Sequence, residues 1–200
     1  MSTLKNIGEG AAPGNPPFIA DKAIPIHPDV ENILIGPAAL RKRVRELGAE
    51  ITRDYADRHP TLLGILKGSV VFLGDLLRSI NLDCSVDFLS VSSYSGRGST
   101  GEVRMLLDLR ESAAGKDLII VEDIMDSGLT LHYLLDSLKN RGPRSLEVCT
   151  LLDKPDCRKI AVTAKYVGFR IANEFVIGYG LDYNEKYRNL PYVGVLKSGK

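Results

Sequence analysis

The stretch Asp117-Leu118-Ile119-Ile120-Val121-Glu122-Asp123-Ile124-Met125-Asp126-Ser127-Gly128-Leu129-Thr130-Leu131 decides the reading of this chain. Leu118 to Val121 is an unbroken apolar run, as expected of a strand covered on both faces of a parallel sheet. Two carboxylates, Glu122 and Asp123, follow it directly, and a third, Asp126, precedes the turn Ser127-Gly128. Leu131, Leu134, Leu135 and Leu138 then fall on one helical face, and Gly142-Pro143 stops the helix. A helix start at a strand end offers free N–H groups and a positive dipole end to a phosphate, with the Ser127 and Thr130 hydroxyls as further donors. The loop is not a Walker loop, because it lacks the Gly-Lys-Ser/Thr ending. Its acids suit two tasks: holding sugar hydroxyls, directly or through magnesium, and accepting a proton.

Upstream, Leu40, Val44, Leu47, Ile51 and Tyr55 recur at helical spacing after Gly36-Pro37. Thr61 to Leu66 reads as a second buried strand, ending at Lys67-Gly68-Ser69, and Val70 to Ile80 as a helix. That turn puts a lysine, a glycine and a hydroxyl beyond a strand's carboxyl end, where open sheets bind ligands. Alone, Lys-Gly-Ser would read equally as a surface turn. Cys84 to Val91 and Val103 to Leu109 read as strands joined by a Gly- and Ser-rich loop that carries Tyr94. Ser145 to Leu152 forms the next strand, followed by Asp153-Lys154-Pro155. From Tyr166 to Leu196 short apolar strands surround Phe175-Val176-Ile177-Gly178-Tyr179-Gly180-Leu181-Asp182-Tyr183-Asn184-Glu185-Lys186-Tyr187-Arg188. On residue type alone Phe175 and Val176 suit the core better than a binding surface.

The run Val121 to Thr130 resembles the phosphoribosyl pyrophosphate loop of the type I phosphoribosyltransferases, and the run Phe175 to Arg188 resembles a second motif of their hypoxanthine-guanine branch. The resemblance covers about Ile33 to Leu196. It implies an α/β fold with a mostly parallel sheet flanked by helices, and a small hood from the N- and C-terminal segments, about 29–36 and 154–196. It also implies Mg2+-dependent transfer of a phosphoribosyl group to a 6-oxopurine base. By the same resemblance Glu122, Asp123, Asp126, Ser127, Gly128, Leu129 and Thr130 bind phosphoribosyl pyrophosphate, and Asp126 handles the proton of the base. Lys67, Gly68 and Arg188 belong to the pyrophosphate site, where the peptide before the lysine is often cis. Ser93 and Tyr94 match a loop that closes over the site. Lys154, Phe175, Val176 and Asp182 fall to the purine pocket, and Glu122, Asp123 and Asp182 to the metal. Two positions depart from relatives that carry lysine, Leu129 and Glu174, and they leave the preference among hypoxanthine, guanine and xanthine open.

Hydrophobic residues make up 44% and charged ones 26% of 200 residues, with 26 basic against 25 acidic side chains and a formal net charge of +1. That balance calls for neither nucleic acid nor an anionic membrane. Cys84, Cys149 and Cys157 have neither the density nor the spacing of a disulfide framework or a zinc clip, so a reducing cytoplasm is the expected setting. No apolar run is long enough to span a bilayer, and the start lacks a secretory pattern. Residues 1–28, rich in Gly and Pro, are expected to form a flexible arm, with 29–200 a single domain. A homodimer or homotetramer follows from the resemblance alone. An RNA-binding regulator on the same fold and a receiver-type domain are the rival readings. The first needs a basic face that the charge balance does not suggest, and the second leaves Lys67 and the final motif without a role.

Overall fold

Residues 25–93 and 103–199 are described by the computed structural model. Their elements run β1 (Val30–Ile35), α1 (Pro37–Asp54), β2 (Thr61–Leu66), α2 (Val70–Leu77), β3 (Ser85–Ser93), β4 (Val103–Leu107), β5 (Asp117–Met125), α3 (Leu129–Lys139), β6 (Ser145–Asp153), β7 (Tyr166–Arg170), β8 (Val176–Ile177) and β9 (Val193–Leu196). The main sheet has the order β4-β3-β2-β5-β6-β7, parallel throughout except for the antiparallel β3–β4 edge. From β2 the chain moves one way to β3, whereas β5, β6 and β7 build the other way. The order therefore reverses between β2 and β5, and at such a switch point the loops beyond the carboxyl ends part to leave a crevice.

The apolar run in β5 is covered on both faces, and its side chains alternate between two cores. Ile119 and Val121 pack with Leu47 and Ile51 of α1 and with Phe72 and Leu76 of α2. Leu118 and Ile120 pack with Leu131, Leu134 and Leu138 of α3. A strand's two-residue period and two covering layers make every position of the run apolar. The start of β5 is pinned by Asp117, which has no exposed surface and accepts hydrogen bonds from Arg144 (3.0 Å) and Ser145 Oγ (2.7 Å). The Arg144 guanidinium holds its carboxyl below the usual carboxylate range against the pull of burial.

Five elements differ in bounds from the sequence expectation, β3 (Ser85–Ser93 against Cys84–Val91) and β6 (Ser145–Asp153 against Ser145–Leu152) by only one or two residues at an end. β5 continues past the apolar run, because β6 pairs with it as far as Met125 opposite Asp153. Glu122 and Asp123 therefore lie within the strand rather than after it. α2 stops at Leu77 instead of Ile80, where the Ser79 hydroxyl donates to Asp75 O (2.8 Å) and tightens the chain into a turn. β4 ends at Leu107 instead of Leu109, where Asp108 turns to accept the Leu109 N–H (2.7 Å) and both Arg141 nitrogens (2.6 and 2.9 Å).

A second sheet, β1-β9-β8, is antiparallel and closes over Val30, Ile177 and Tyr192. Residues Tyr166–Arg170, within the segment expected for the hood, instead extend the main sheet as β7, parallel to β6. The expected arm lies outside the described residues up to 24. Its end is tied down: His27 N–H donates to Tyr192 Oη (2.8 Å), and Lys197 Nζ donates to Pro28 O (2.6 Å). Among the described residues no helix is long and apolar enough to cross a membrane.

Candidate active site

At the switch point, the loop after β2 and the end of β5 are in contact. A Cβ built on Gly68 would lie 1.7 Å from Asp123 Oδ2, so any side chain there would push this carboxylate aside. The Leu66–Lys67 peptide is cis, as the resemblance implied. From the other side Gly180 backs onto the same loop: a Cβ there would meet the Gly68 carbonyl oxygen at 2.1 Å, and Gly180 has φ +103. The final motif is thereby brought to the switch point.

That motif is tightly folded. Asn184, Glu185 and Tyr187 all have positive φ (52, 62 and 75°), each costing about 1–3 kcal/mol for a residue with a Cβ. The contortion turns its charges toward Lys67. Arg188 donates to Gly180 O (2.8 Å) and pairs with Asp182 (2.8 Å) and Glu185 (3.5 Å), while Glu185 also pairs with Lys67 Nζ at 3.1 Å. His27, Asp29, Lys67, Glu185 and Arg188 line an open cavity of about 700 Å3. Glu185 was not singled out from the sequence; the alternating charges Asp182, Glu185, Lys186 and Arg188 were the available signal.

The loop from Asp126 to Thr130 turns at Gly128, whose φ of +84 starts α3. A Cβ there would come within 2.7 Å of Ile160 O, so both the conformation and the space call for glycine. Ser127 Oγ accepts the Leu129 N–H at 3.5 Å across the turn that precedes the helix. The remaining N–H groups of the first turn have no intrahelical partners by geometry, and a cavity of about 80 Å3 lies at this helix start, lined by Glu122, Asp126, Ser127, Gly128 and Thr130 among others. Asp126 is exposed at its mouth.

The two strand carboxylates are electrostatically unusual. Glu122 Oε2 is buried with no hydrogen-bond partner, and burial, then the charge of Asp123, pushes its carboxyl well above the ordinary range. Burial likewise raises Asp123 from 3.8 to about 6, against the N–H of Ile124 and the charge of Arg188, while Asp182 adds to the rise. The folded state thus holds a proton that the unfolded chain releases, so the contribution of Asp123 to stability is fullest below pH 3.8 and falls as pH rises toward 6. Asp123→Asn is accordingly expected to raise the melting temperature of the ligand-free protein at pH 7.5 by a few degrees, with about 3 kcal/mol as the upper bound, and to gain little at pH 4. Thermal melts at the two pH values test this, and an equal gain at both would refute it.

The residues expected to read a base lie on neighbouring elements. Lys154 follows β6, is 6% exposed, and its N–H donates to Met125 O at 3.0 Å. Phe175 is 55% exposed with its ring edge-on to Tyr183, centroids 5.5 Å apart, so it stands outside the core despite its residue type. Val176 is buried in the core with Leu40 and Phe72 in the same cluster, which leaves its backbone rather than its side chain for contact with a ligand. Tyr94 lies outside the described residues, and of Ser93 only the backbone at the end of β3 is described. Among the described residues no group of three or more acidic, His or Cys side chains forms a ready-made metal cage.

Comparison with known proteins agrees with this arrangement. The family described as the phosphoribosyl transferase domain matches residues 29–184. The hypoxanthine-guanine phosphoribosyltransferase of Bacillus subtilis is 49% identical over 170 residues, covering 84% of this chain and 94% of the relative. The bifunctional protein TilS/HprT of Listeria innocua is 50% identical over 173 residues, 86% of this chain, and the chain spans only 27% of that longer protein. A crystal structure of a hypoxanthine phosphoribosyltransferase from Staphylococcus aureus superposes with a TM-score of 0.81 at 48% identity, covering 84% of this chain and 92% of that one. With the switch-point crevice, the glycine turn into α3 and both motifs in place, the chain belongs to the phosphoribosyltransferase family, in its hypoxanthine-guanine branch.

Proposed function

We propose that the chain converts hypoxanthine or guanine and 5-phosphoribosyl 1-pyrophosphate into IMP or GMP and pyrophosphate, a purine salvage reaction. The observation that carries this reading is the convergence at one switch point of the α3 start, the carboxylates of β5 and the cations Lys67 and Arg188. The N–H groups of Ser127 to Thr130, Leu129 included, hold the sugar phosphate. Glu122 and Asp123 accept the ribose hydroxyls, which supply the missing partner of Glu122 Oε2. Lys67, Arg188 and the Gly68 backbone meet the pyrophosphate, where negative charge develops as the bond to the sugar breaks. Asp126, at the mouth of the phosphate cavity, takes the proton from the base's imidazole ring as the new bond forms.

The donor set fits magnesium. It is all oxygen, as suits an ion that takes one or two protein carboxylates and fills its remaining positions from substrate phosphates and water. Asp123 and Asp182, with Glu122 behind them, would hold it, and it would neutralise the leaving pyrophosphate. The purine stacks on exposed Phe175 beside the Val176 backbone, and the buried Lys154 donates to its 6-oxo group. A donor at that position leaves adenine's amino group unmatched. The domain spans 29–200 with the small sheet as its hood, and the assembly is a cytoplasmic homodimer or homotetramer.

Incubation with Mg2+, phosphoribosyl pyrophosphate and hypoxanthine, guanine, xanthine or adenine, with identification of the nucleotide formed, tests the reading; no nucleotide from hypoxanthine or guanine would refute it. Lys154→Met is expected to lower kcat/KM for hypoxanthine about 10- to 100-fold, the worth of one charged hydrogen bond, and to leave KM for phosphoribosyl pyrophosphate near that of the parent. An unchanged kcat/KM for hypoxanthine would remove Lys154 from the base site.

A further inference from the structure

The loop that holds the sugar phosphate and the strand end that reads the base are fastened to each other by the segment after Lys154. Lys154 N–H donates to Met125 O (3.0 Å), and the N–H groups of Lys159 (2.9 Å) and Ile160 (3.2 Å) both donate to Ser127 O. Between these, Arg158 spans the gap: Nη1 donates to the Asp126 carbonyl and Nη2 to Asp153 Oδ1, the carboxylate that ends β6. The Arg158 side chain is 16% exposed and that of Asp153 9%, so the pair is shielded from solvent, unlike Arg170, which approaches Asp153 at 3.8 Å from a 78% exposed position. The stem of Arg158 also packs on Gly128, where a Cβ would meet Arg158 Cδ at 3.1 Å.

We propose that Arg158, anchored by Asp153, is a positioning residue for the transferase reaction, holding the Asp126-Ser127-Gly128 backbone in register with Lys154 so that the base and the sugar meet in reacting orientation. The Asp126 carboxylate departs from the same backbone whose carbonyl Arg158 grips, and Lys154 is bonded to Met125, the residue before it. A guanidinium suits this task because its planar fork binds a carbonyl and a carboxylate at once, whereas lysine can satisfy only part of the pair. Misplacement of a catalytic group by about 1 Å is enough to cost on the order of a hundredfold in rate.

The inference rests on the roles proposed for Asp126 and Lys154, and one of its readouts is independent of turnover. Arg158→Met, Arg158→Lys and the control Arg170→Met would be compared with the parent chain by amide hydrogen exchange over 126–130, and by kcat and KM for phosphoribosyl pyrophosphate and hypoxanthine. Arg158→Met is expected to speed loop exchange at least tenfold and to lower kcat at least tenfold, Arg158→Lys to recover part of both, and Arg170→Met to stay within twofold of the parent. Exchange and kinetics within twofold of the parent in Arg158→Met would overturn the proposal, as would an equal loss in Arg170→Met. If Arg158→Met does not fold, Arg158→Lys decides: a folded protein with faster loop exchange and reduced kcat supports the clamp, and parental behaviour overturns it. If the parent makes no nucleotide, the functional reading fails while the exchange comparison still tests the clamp.

Discussion

Asp126→Asn is expected to lower kcat about 10²- to 10⁴-fold while changing the affinity for phosphoribosyl pyrophosphate by no more than a few fold. The substitution keeps the shape of the side chain and removes its capacity to take a proton. Asp126 is exposed and lines the small cavity at the start of α3. Its backbone carbonyl is already engaged by Arg158, so the amide side chain should leave the loop's conformation intact. The groups proposed to hold the sugar phosphate are backbone N–H donors, which the substitution does not touch. Single-turnover kinetics together with calorimetric binding of magnesium phosphoribosyl pyrophosphate separate the two quantities. Unchanged turnover would take Asp126 out of the proton-transfer role, and a parallel collapse of affinity would make it a substrate ligand instead.

Gly180→Ala is expected to cost about 3 kcal/mol or more, lowering the melting temperature by roughly 6–12 °C, and to weaken pyrophosphate binding in whatever folded protein remains. Two independent penalties combine. The residue has φ +103, a conformation that strains any side chain, and the new Cβ would stand 2.1 Å from the Gly68 carbonyl oxygen. The obstructing atom is backbone, in the loop that carries Lys67, so relief requires the final motif and the β2 loop to separate. That separation would carry Arg188 away, because its guanidinium donates to the Gly180 carbonyl. At Gly74, in α2, an added Cβ would meet nothing within 4 Å and φ is not positive, so Gly74→Ala is the matched control. Equal melting temperatures for the two variants would refute the argument.

Much of the framework was legible in residue order. The apolar run of β5, the helical spacing of Leu40, Val44, Leu47 and Ile51, and the bounds of β2 all follow from burial periods that side chains announce locally. Boundaries were less legible, because partners set them: β6 draws β5 past its apolar run, and Asp108 and Ser79 end their elements through bonds to neighbouring backbone and to Arg141. Phe175 shows the same limit. A phenylalanine in an apolar run suits a core by type, and only the packing of β8 and Tyr183 leaves it exposed.

By itself, the sequence determined an alternation of strands and helices, a helix start with three acids before it, and the family that the two long motifs belong to. Those properties reside in residue types at short spacing, and no distant contact is needed to state them. Tertiary structure alone decided that Gly68 lies against Asp123, that Arg188 donates to Gly180 and shares Glu185 with Lys67, that Glu122 Oε2 is buried without a partner, and that Arg158 joins Asp126 to Asp153. The first two of these contacts form where the sheet order reverses between β2 and β5, and the Arg158 link forms between the neighbouring ends of β5 and β6. Because β2 and β5 are neighbours in space and not in sequence, the chemistry between them appears only when the sheet is assembled.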